Sequence, residues 1–213
     1  MTAVGRRGLP RPRLARTVLG IALAVLAVTT SGCAGSSPAA PAPSAEAVQV
    51  PVTSPPVSAP AVLAASRPVR VQIPAIGVDS ELMDLGLQAD GSLEVPATGF
   101  PAGWFTGAPT PGERGPAVIA GHVDWGGAPG VFAELRDVVA GDEIDVIRED
   151  GSTAVFRVRE VGQYAKDAFP TAAVYGDLDH AGLRVITCGG DFDHAAQSYV
   201  DNTVVFADLE RAG

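Results

Sequence analysis

Short apolar runs separated by turn residues make up the chain from Pro68 onward. Runs of this length, rich in Val and Ile and bounded by Gly, Pro, Asn or Asp, are typical of β-strands. The predicted strands are VRVQIPAIGV (69–78), SELMDLGL (80–87), SLEVP (92–96), PAVIAGHVD (116–124), DEIDVIRE (142–149), TAVFRVREV (153–161), GLRVITC (182–188) and NTVVFADL (202–209). The Gly- and Pro-rich residues 98–116 are expected to form a loop.

One segment has helical rather than alternating spacing. Its sequence, GVFAELRDVV (130–139), predicts a short helix that stops at Gly141. Asp150-Gly151-Ser152, between two predicted strands, is a strong hairpin signal. About eight strands with little helix predict an antiparallel or mixed β-barrel or sandwich, and residues 68–213 are enough for one core.

The residues before Pro68 have a different composition. Residues 1–16 contain five arginines and no acid, and the apolar residues 17–32 follow them, a combination typical of an export signal. The sequence TSGC, ending at Cys33, resembles a bacterial lipoprotein cleavage site, so Cys33 is a candidate for lipidation. An uncleaved anchor and plain secretion are the alternatives.

Residues 34–67 are rich in Ala, Pro, Ser and Val, and are expected to form a disordered, extended stalk. The chain therefore divides into a signal or membrane-anchor segment (1–33), a stalk (34–67) and one folded domain (68–213). This organisation predicts an extracytoplasmic domain associated with the membrane through its N-terminal segment, by a lipid or by the peptide itself.

Charge is distributed unevenly along the 213 residues. The formal net charge is −9, but from Pro68 to the end there are 9 Lys and Arg against 23 Asp and Glu, a balance of −14. A domain this acidic repels phosphate backbones, so nucleic acid is not an expected partner.

Cys188 stands at the carboxyl end of a predicted strand, directly before two glycines. With a period of two, Arg184, Ile186 and Cys188 share one face of that strand. Gly189 and Gly190 let the chain turn sharply and bring backbone N–H groups close to a ligand, as an oxyanion site requires. Cys188 is therefore a candidate nucleophile, and the alternative is an inert buried thiol.

A thiol is nucleophilic only as the thiolate, which needs a base or a cation nearby. His122 ends another buried predicted strand, so Cys188 and His122 form a plausible pair if the two strand ends lie together. The alternative for His122 is a hydrogen-bonded loop histidine. His180 and His194 lie in polar segments and are expected to be solvated, although Asp191, Asp193 and His194 are a weak candidate metal site.

Several motifs, in this order and spacing, resemble the sortases, particularly the class F type of Gram-positive bacteria. They are IPAIGVD, DLGLQADGSLEVP, PAVIAGHVD and LRVITCGG, the last followed by DF and YVDNTVVFA. The resemblance covers essentially all of residues 68–208. It implies a mostly β fold, a closed β-barrel of about eight strands with one or two short helices, and a cysteine transpeptidase that needs no cofactor or metal.

Carried over residue by residue, the resemblance makes Cys188 the nucleophile and His122 the acid and base. It implies cleavage of a Leu-Pro-x-Thr-Gly-like sorting signal after Thr through a thioester acyl-enzyme, which a cell-wall amine resolves. The implied partners are surface proteins that carry the sorting signal and the amine acceptor of a peptidoglycan precursor. A monomer is expected.

The chain departs from the family at a third residue. Sortases usually carry an arginine on the strand after the cysteine, whereas residues 189–210 contain no Lys or Arg, and Val200 stands at the expected place. Arg184 lies four residues before Cys188, roughly 13 Å along the strand. The candidates for the missing oxyanion or substrate contact are Asn202, Gly189, Arg114 and, from another loop, Arg136.

Two other functions fit parts of the sequence. An L,D-transpeptidase is also an exported, β-rich cysteine enzyme, but its Ser-His-Gly-Cys-x-Arg signature is absent around Cys188. A non-catalytic lipoprotein that binds a metal or a surface would use His122, Asp124, Asp193 and His194, and it would tolerate the loss of the Cys188 thiol.

Overall fold

The computed structural model describes residues 62–213. The predicted signal segment, Cys33 and most of the predicted stalk lie outside these residues. The strands are β1 (Pro68–Ile73), β2 (Val78–Leu85), β3 (Ala102–Phe105), β4 (Gly115–Ala120), β5 (Asp124–Trp125), β6 (Ala128–Pro129), β7 (Glu143–Arg148), β8 (Thr153–Ala165), β9 (Ala181–Asp193) and β10 (Ser198–Ala212). One α-helix, α1 (Thr171–Tyr175), and 3-10 helices at Pro74–Ile76, Leu135–Asp137 and Lys166–Ala168 complete the elements of this part of the chain.

Eight of the strands close into a barrel in the order β1-β2-β3-β4-β9-β10-β8-β7, with β7 pairing back to β1. Most neighbours are antiparallel, but β2 with β3 and β4 with β9 are parallel. The short strands β5 and β6 form a separate two-stranded ribbon. The predicted closed, mostly β barrel of about eight strands is thus confirmed, and so is the hairpin at Asp150-Gly151-Ser152, which joins β7 to β8.

Strand alternation divides the buried side chains between two faces of the barrel wall. Leu183 and Val185 of β9 point into the barrel and join its main core with residues such as Ile119 and Phe156. Ile186 points outward into a second cluster with Val118, Val174 and Val204. The period of two read from the sequence of β9 therefore separates core side chains from outward-facing ones correctly.

The predicted helix at 130–139 is wrong. Its apolar residues are buried, Val131, Phe132, Leu135 and Val138 among them, but the segment forms turns and only the 3-10 helix Leu135–Asp137. Its internal hydrogen bonds show why: Ala133 donates to Gly130 O (3.2 Å) and Leu135 donates to Phe132 O (3.2 Å), three residues back instead of four, so the segment makes turns and no α-helical ladder. The helical spacing of these apolar residues therefore indicates that the segment is buried against the barrel, not that it forms a helix.

Two strand predictions and one loop prediction in the amino-terminal part of the domain need correction. The first predicted strand is interrupted at Pro74, where a 3-10 helix separates β1 from β2. SLEVP is not a strand, since only an isolated bridge joins Leu87 to Leu93. The predicted loop at 98–116 contains β3, whose Trp104 is buried and donates its indole N–H to Pro109 O (3.3 Å).

Helix α1 has five residues, too few for a periodic pattern, and the sequence did not predict it. It lies over the outer face of the barrel, where its Val174 packs in the second cluster. Among residues 62–213 no helix has the length and apolar character that crossing a membrane requires.

Candidate active site

The pairing of β4 with β9 brings the ends of two strands together. These strands run parallel, and their last paired residues are Ala120 and Ile186. Beyond that pair, Gly121 N–H donates to Ile186 O (3.1 Å) and Thr187 Oγ1 donates to Gly121 O (2.9 Å). His122 and Cys188 each lie two residues past the last pair, so both are at the same edge of the barrel wall.

The imidazole of His122 has a defined donor and acceptor. Its Nε2 lies 2.7 Å from Pro96 O. Because a carbonyl oxygen only accepts, Nε2 carries the proton in the neutral ring, and Nδ1 is left as the nitrogen that can take up a proton. The Trp125 indole packs beside the ring, with centroids 4.8 Å apart and planes tilted by 49°.

Cys188 is half-buried, and it is the only cysteine of residues 62–213. Across the sheet it pairs with Asn202 of β10. A Cβ at Gly189 would lie 2.6 Å from Thr203 Oγ1, so only glycine fits beside the barrel wall there. Gly190 has φ +74°, a left-handed conformation in which glycine carries no steric penalty. The local geometry therefore favours glycine at both positions after the cysteine.

A cavity of about 210 Å³ opens beside the Cys188 thiol. Arg136 and Tyr199 line it together with Cys188, Gly189 and Gln163. The side chain of Arg136 is 75% exposed, and its Nε lies 3.8 Å from Asp137 Oδ1, so the guanidinium is largely free to turn toward the cavity. Arg136 comes from the segment that the sequence predicted as a helix.

Arg114 does not share this cavity. It lines a different cleft of about 400 Å³, formed with residues of β3, β4 and the α1 region. Arg114 immediately precedes β4, whose Gly115 pairs with Ala181. Since Cys188 lies seven residues further along β9, the two side chains are separated by roughly 25 Å. The structure thus brings Arg136, and not Arg114, to Cys188.

Arg184 has a structural position on the outer face of β9. It is buried beneath α1, where Nη1 donates to Leu183 O (3.0 Å) and Nε donates to Ala173 O (3.3 Å). Its guanidinium also lies 4.8 Å from the centre of the Phe206 ring. Burial lowers the pKa of Arg184. These contacts hold the side chain away from the thiol.

Val200, the position on β10 where an arginine was expected, lies at an irregularity of the strand. The register between β9 and β10 shifts between Tyr199 and Asp201, so Val200 is left out of the pairing and is exposed. Asn202, two residues further, is the direct cross-strand neighbour of Cys188.

Asp124 and Tyr199 were not predicted as a pair, but they connect the segment after His122 to the segment after Cys188. The Tyr199 hydroxyl donates to Asp124 Oδ2 (2.5 Å). This hydrogen bond is the main cause that raises the pKa of Tyr199. No sequence pattern predicts this pair, because the YVDN motif around Tyr199 does not indicate a partner 75 residues away.

The other two histidines lie elsewhere. His180, just before β9, bonds to Asp179 Oδ1 through Nδ1 (2.8 Å) and to Asp208 Oδ1 through Nε2 (3.1 Å), and these contacts, Asp179 first, raise its pKa. His194 is exposed in the turn between β9 and β10. Within residues 62–213 no group of three or more His, Cys, Asp or Glu side chains is arranged to hold a metal ion.

A scan against protein-family models matched the sortase domain over residues 71–210, about two thirds of the chain. The chain belongs to the sortase family. A comparison with curated protein sequences returned no match.

Solved sortases share the fold at low sequence identity. Sortase C1 of Streptococcus agalactiae is 21% identical with a TM-score of 0.53, and the match covers 67% of this chain and 66% of that one. A lid mutant of sortase A from Corynebacterium diphtheriae is 23% identical with a TM-score of 0.52, covering 69% of this chain and 73% of that one. Sortase C of Streptococcus pneumoniae is 19% identical with a TM-score of 0.51, covering 70% and 69%. The chain therefore spans about two thirds of the length of these relatives, and the likeness extends to the barrel.

Proposed function

We propose that this sortase is a cysteine transpeptidase in which Cys188 is the nucleophile and His122 is the acid and base. The observation that carries the proposal is the parallel pairing of β4 with β9, which leaves both residues two positions past the last pair, Ala120 and Ile186. The half-buried thiol, the adjacent cavity and the proton-accepting Nδ1 of His122 supply what a nucleophile with its base needs.

The reaction has two acyl-transfer steps, and Cys188 and His122 take part in both. The Cys188 proton passes to His122, and the thiolate adds to the carbonyl of the sorting-signal Thr. The C–N bond to the following Gly then breaks, the leaving amine takes the proton from His122, and a thioester remains. An acceptor amine next gives its proton to His122 and attacks the thioester, which releases Cys188 as the thiol and forms the new amide.

The carbonyl oxygen becomes negative in both tetrahedral intermediates and needs donors placed in advance. Arg136 is the cation that lines the Cys188 cavity, and Asn202 is the direct cross-strand neighbour of Cys188. We assign the charge-stabilising role of the missing strand arginine to Arg136, with Asn202 and the Gly189 N–H as neutral donors. In this proposal the cation comes from the 3-10 helix Leu135–Asp137, whereas residues 189–210 contain no Lys or Arg.

The substrate assignment rests on the motifs around these residues. We propose that the enzyme is of the class F type and cleaves a Leu-Pro-x-Thr-Gly-like sorting signal of surface proteins, transferring it to an amine of a peptidoglycan precursor. The basic residues 1–16 and the apolar residues 17–32 support an extracytoplasmic, membrane-associated location, where both partners would be met.

The test is the intact mass of the full-length protein after incubation with a library of Leu-Pro-x-Thr-Gly peptides, with Cys188→Ala and His122→Ala as comparison variants. The expected result is an adduct equal to the amino-terminal part of a peptide, absent from Cys188→Ala and strongly reduced in His122→Ala. Added hydroxylamine should release the adduct as the hydroxamate, as a thioester requires.

Two other results would each be decisive. A wild-type protein that no peptide modifies, but that iodoacetamide alkylates readily at Cys188, would have a reactive thiol and a different substrate class. A protein that neither acylates nor alkylates would have an inert Cys188, and the non-catalytic alternative would be favoured.

A further inference from the structure

A side-chain hydrogen bond joins the ribbon that follows His122 to the hairpin that follows Cys188. Asp124 lies two residues after His122, in the ribbon strand β5, and Tyr199 lies on the hairpin formed by β9 and β10. The Tyr199 hydroxyl donates to the Asp124 carboxylate at 2.5 Å, across 75 residues of sequence. We call this hydrogen bond the clasp.

The Tyr199 end of the clasp is held by the hairpin. Tyr199 pairs directly with Phe192 across the two strands, and the two rings meet edge to face with centroids 5.2 Å apart. Tyr199 also lines the cavity beside Cys188. The ring of Tyr199 is thus packed against Phe192 at the edge of the Cys188 cavity.

The Asp124 end belongs to a ribbon with little support of its own. Strands β5 and β6 have two residues each, all exposed, and they pair only with one another among the described strands. Trp125, the neighbour of Asp124, packs beside the imidazole of His122 at 4.8 Å. A ribbon this short is marginal in water on its own. Backbone hydrogen bonds from Gly130 to Val123 O (3.0 Å) and from Phe132 to His122 O (2.9 Å) close its base, and the clasp ties Asp124 to the hairpin.

We propose that Asp124 and Tyr199 are positioning residues: the clasp holds the ribbon so that Trp125 fixes the His122 ring relative to Cys188. The inference rests on the proposed roles of His122 and Cys188. A hydrogen bond to a carboxylate is among the stronger ones in proteins, which suits it to hold an exposed ribbon. The same hydrogen bond raises the pKa of Tyr199, so its hydroxyl stays a donor to a higher pH than an ordinary tyrosine hydroxyl does.

The experiment compares five full-length variants with the wild type: Tyr199→Phe, Asp124→Ala, the double variant of both, Asp124→Asn, and Tyr164→Phe as a matched control. Tyr164 also faces a carboxylate, Glu160 at 3.5 Å, but the two residues lie four apart on the same strand and join no separate segments. The readouts are kcat and KM for transfer of a Leu-Pro-x-Thr-Gly peptide to hydroxylamine, and the rate of Cys188 alkylation by iodoacetamide at pH 7.

Misplacing an acid or base by about 1 Å can cost up to ~100-fold in rate. We therefore expect Tyr199→Phe and Asp124→Ala each to lower kcat about tenfold while KM changes less than about twofold. Asp124→Asn keeps an oxygen that accepts the hydroxyl proton and should recover most of the loss. The double variant should be no slower than either single variant, and Tyr164→Phe should match the wild type.

Several outcomes would overturn the proposal. A kcat of Tyr199→Phe equal to that of the wild type would show that the clasp does not position the residues that carry out the reaction. A large loss in Tyr199→Phe with none in Asp124→Ala would make the phenol itself a substrate contact. Additive losses in the double variant would mean that the two residues act separately.

The alkylation rate separates this inference from the proposed function. If the wild type transfers no peptide, the proposed substrate is wrong, but a displaced His122 should still slow alkylation of Cys188 severalfold in Tyr199→Phe and Asp124→Ala, because thiolate formation needs the neighbouring base. Equal alkylation rates in all variants would overturn the clasp whatever the substrate is.

Discussion

Arg114 and Arg136 are both candidates from the sequence for the missing arginine contact, yet they lie in different parts of the structure. Arg136 borders the cavity beside Cys188, whereas Arg114 borders the larger cleft near α1. Their environments make them a matched pair of variants, since both are exposed and both carry one full charge.

We expect Arg136→Gln to lower the rate of acylation about 10²- to 10³-fold, the usual cost of one oxyanion donor, because a neutral amide replaces the only cation at the cavity among the described residues. Arg114→Gln should leave the rate within twofold of the wild type. The measurement is the single-turnover rate of adduct formation by intact mass. Equal rates in both variants would remove Arg136 from the mechanism and leave Asn202 as the donor to test.

At the scale of elements, β9 shows how one strand serves two environments. Its inward residues fill the barrel, and its outward residues run from Arg184 to Cys188 beneath and beyond α1. Arg184 connects this strand to α1 through the carbonyl of Ala173, and its stem adds to the packing around Phe206. A five-residue helix is unstable alone, so such tertiary contacts keep α1 in place.

Arg184→Ala should lower the free energy of unfolding by about 2–3 kcal/mol, because it removes hydrogen bonds from a charged donor and the packing of a long side chain. Arg159→Ala is the control, since Arg159 is 64% exposed and forms only a surface ion pair with Asp208; about 1 kcal/mol or less is expected there. Urea unfolding of both variants measures the difference. Similar losses at the two positions would contradict the structural role of Arg184.

At the scale of the whole molecule, the domain is acidic and His180 lies between two of its carboxylates. Asp179 and Asp208 raise the pKa of His180, so folding favours its protonated form. The contribution to stability is fully present below the unfolded pKa of about 6.5 and is lost as the pH rises through the higher folded value.

His180→Gln should therefore destabilise the protein at pH 5.5, by about 1 kcal/mol, and have a smaller effect at pH 9, because the stabilisation falls as the pH rises through the folded pKa. The comparison is the free energy of unfolding of both proteins at the two pH values. A difference that stays constant or grows toward pH 9 would show that the two carboxylates do not stabilise the charged ring.

Part of this architecture follows from local sequence pattern. The alternation in β9 assigns Leu183 and Val185 to the core and Ile186 to the outer face, and the residue types of Asp150-Gly151-Ser152 predict the hairpin between β7 and β8. These features depend on residues next to one another in the chain. Segment 130–139 shows where a local pattern misleads. Its apolar residues are spaced as in a helix, but they pack into the barrel core from turns and a 3-10 helix.

The sequence by itself determined the alternating strands of a β domain, the acidic charge, the motifs of the sortase family and the choice of Cys188 and His122 as candidates for chemistry. Tertiary structure alone decided which strand ends meet, that Arg136 rather than Arg114 reaches the cavity, and that Tyr199 bonds to Asp124. The physical reason is the separation in sequence over which each kind of interaction acts. Burial and turn preferences act between neighbours in the chain, whereas these contacts join residues dozens of positions apart, and they exist only once the barrel has closed.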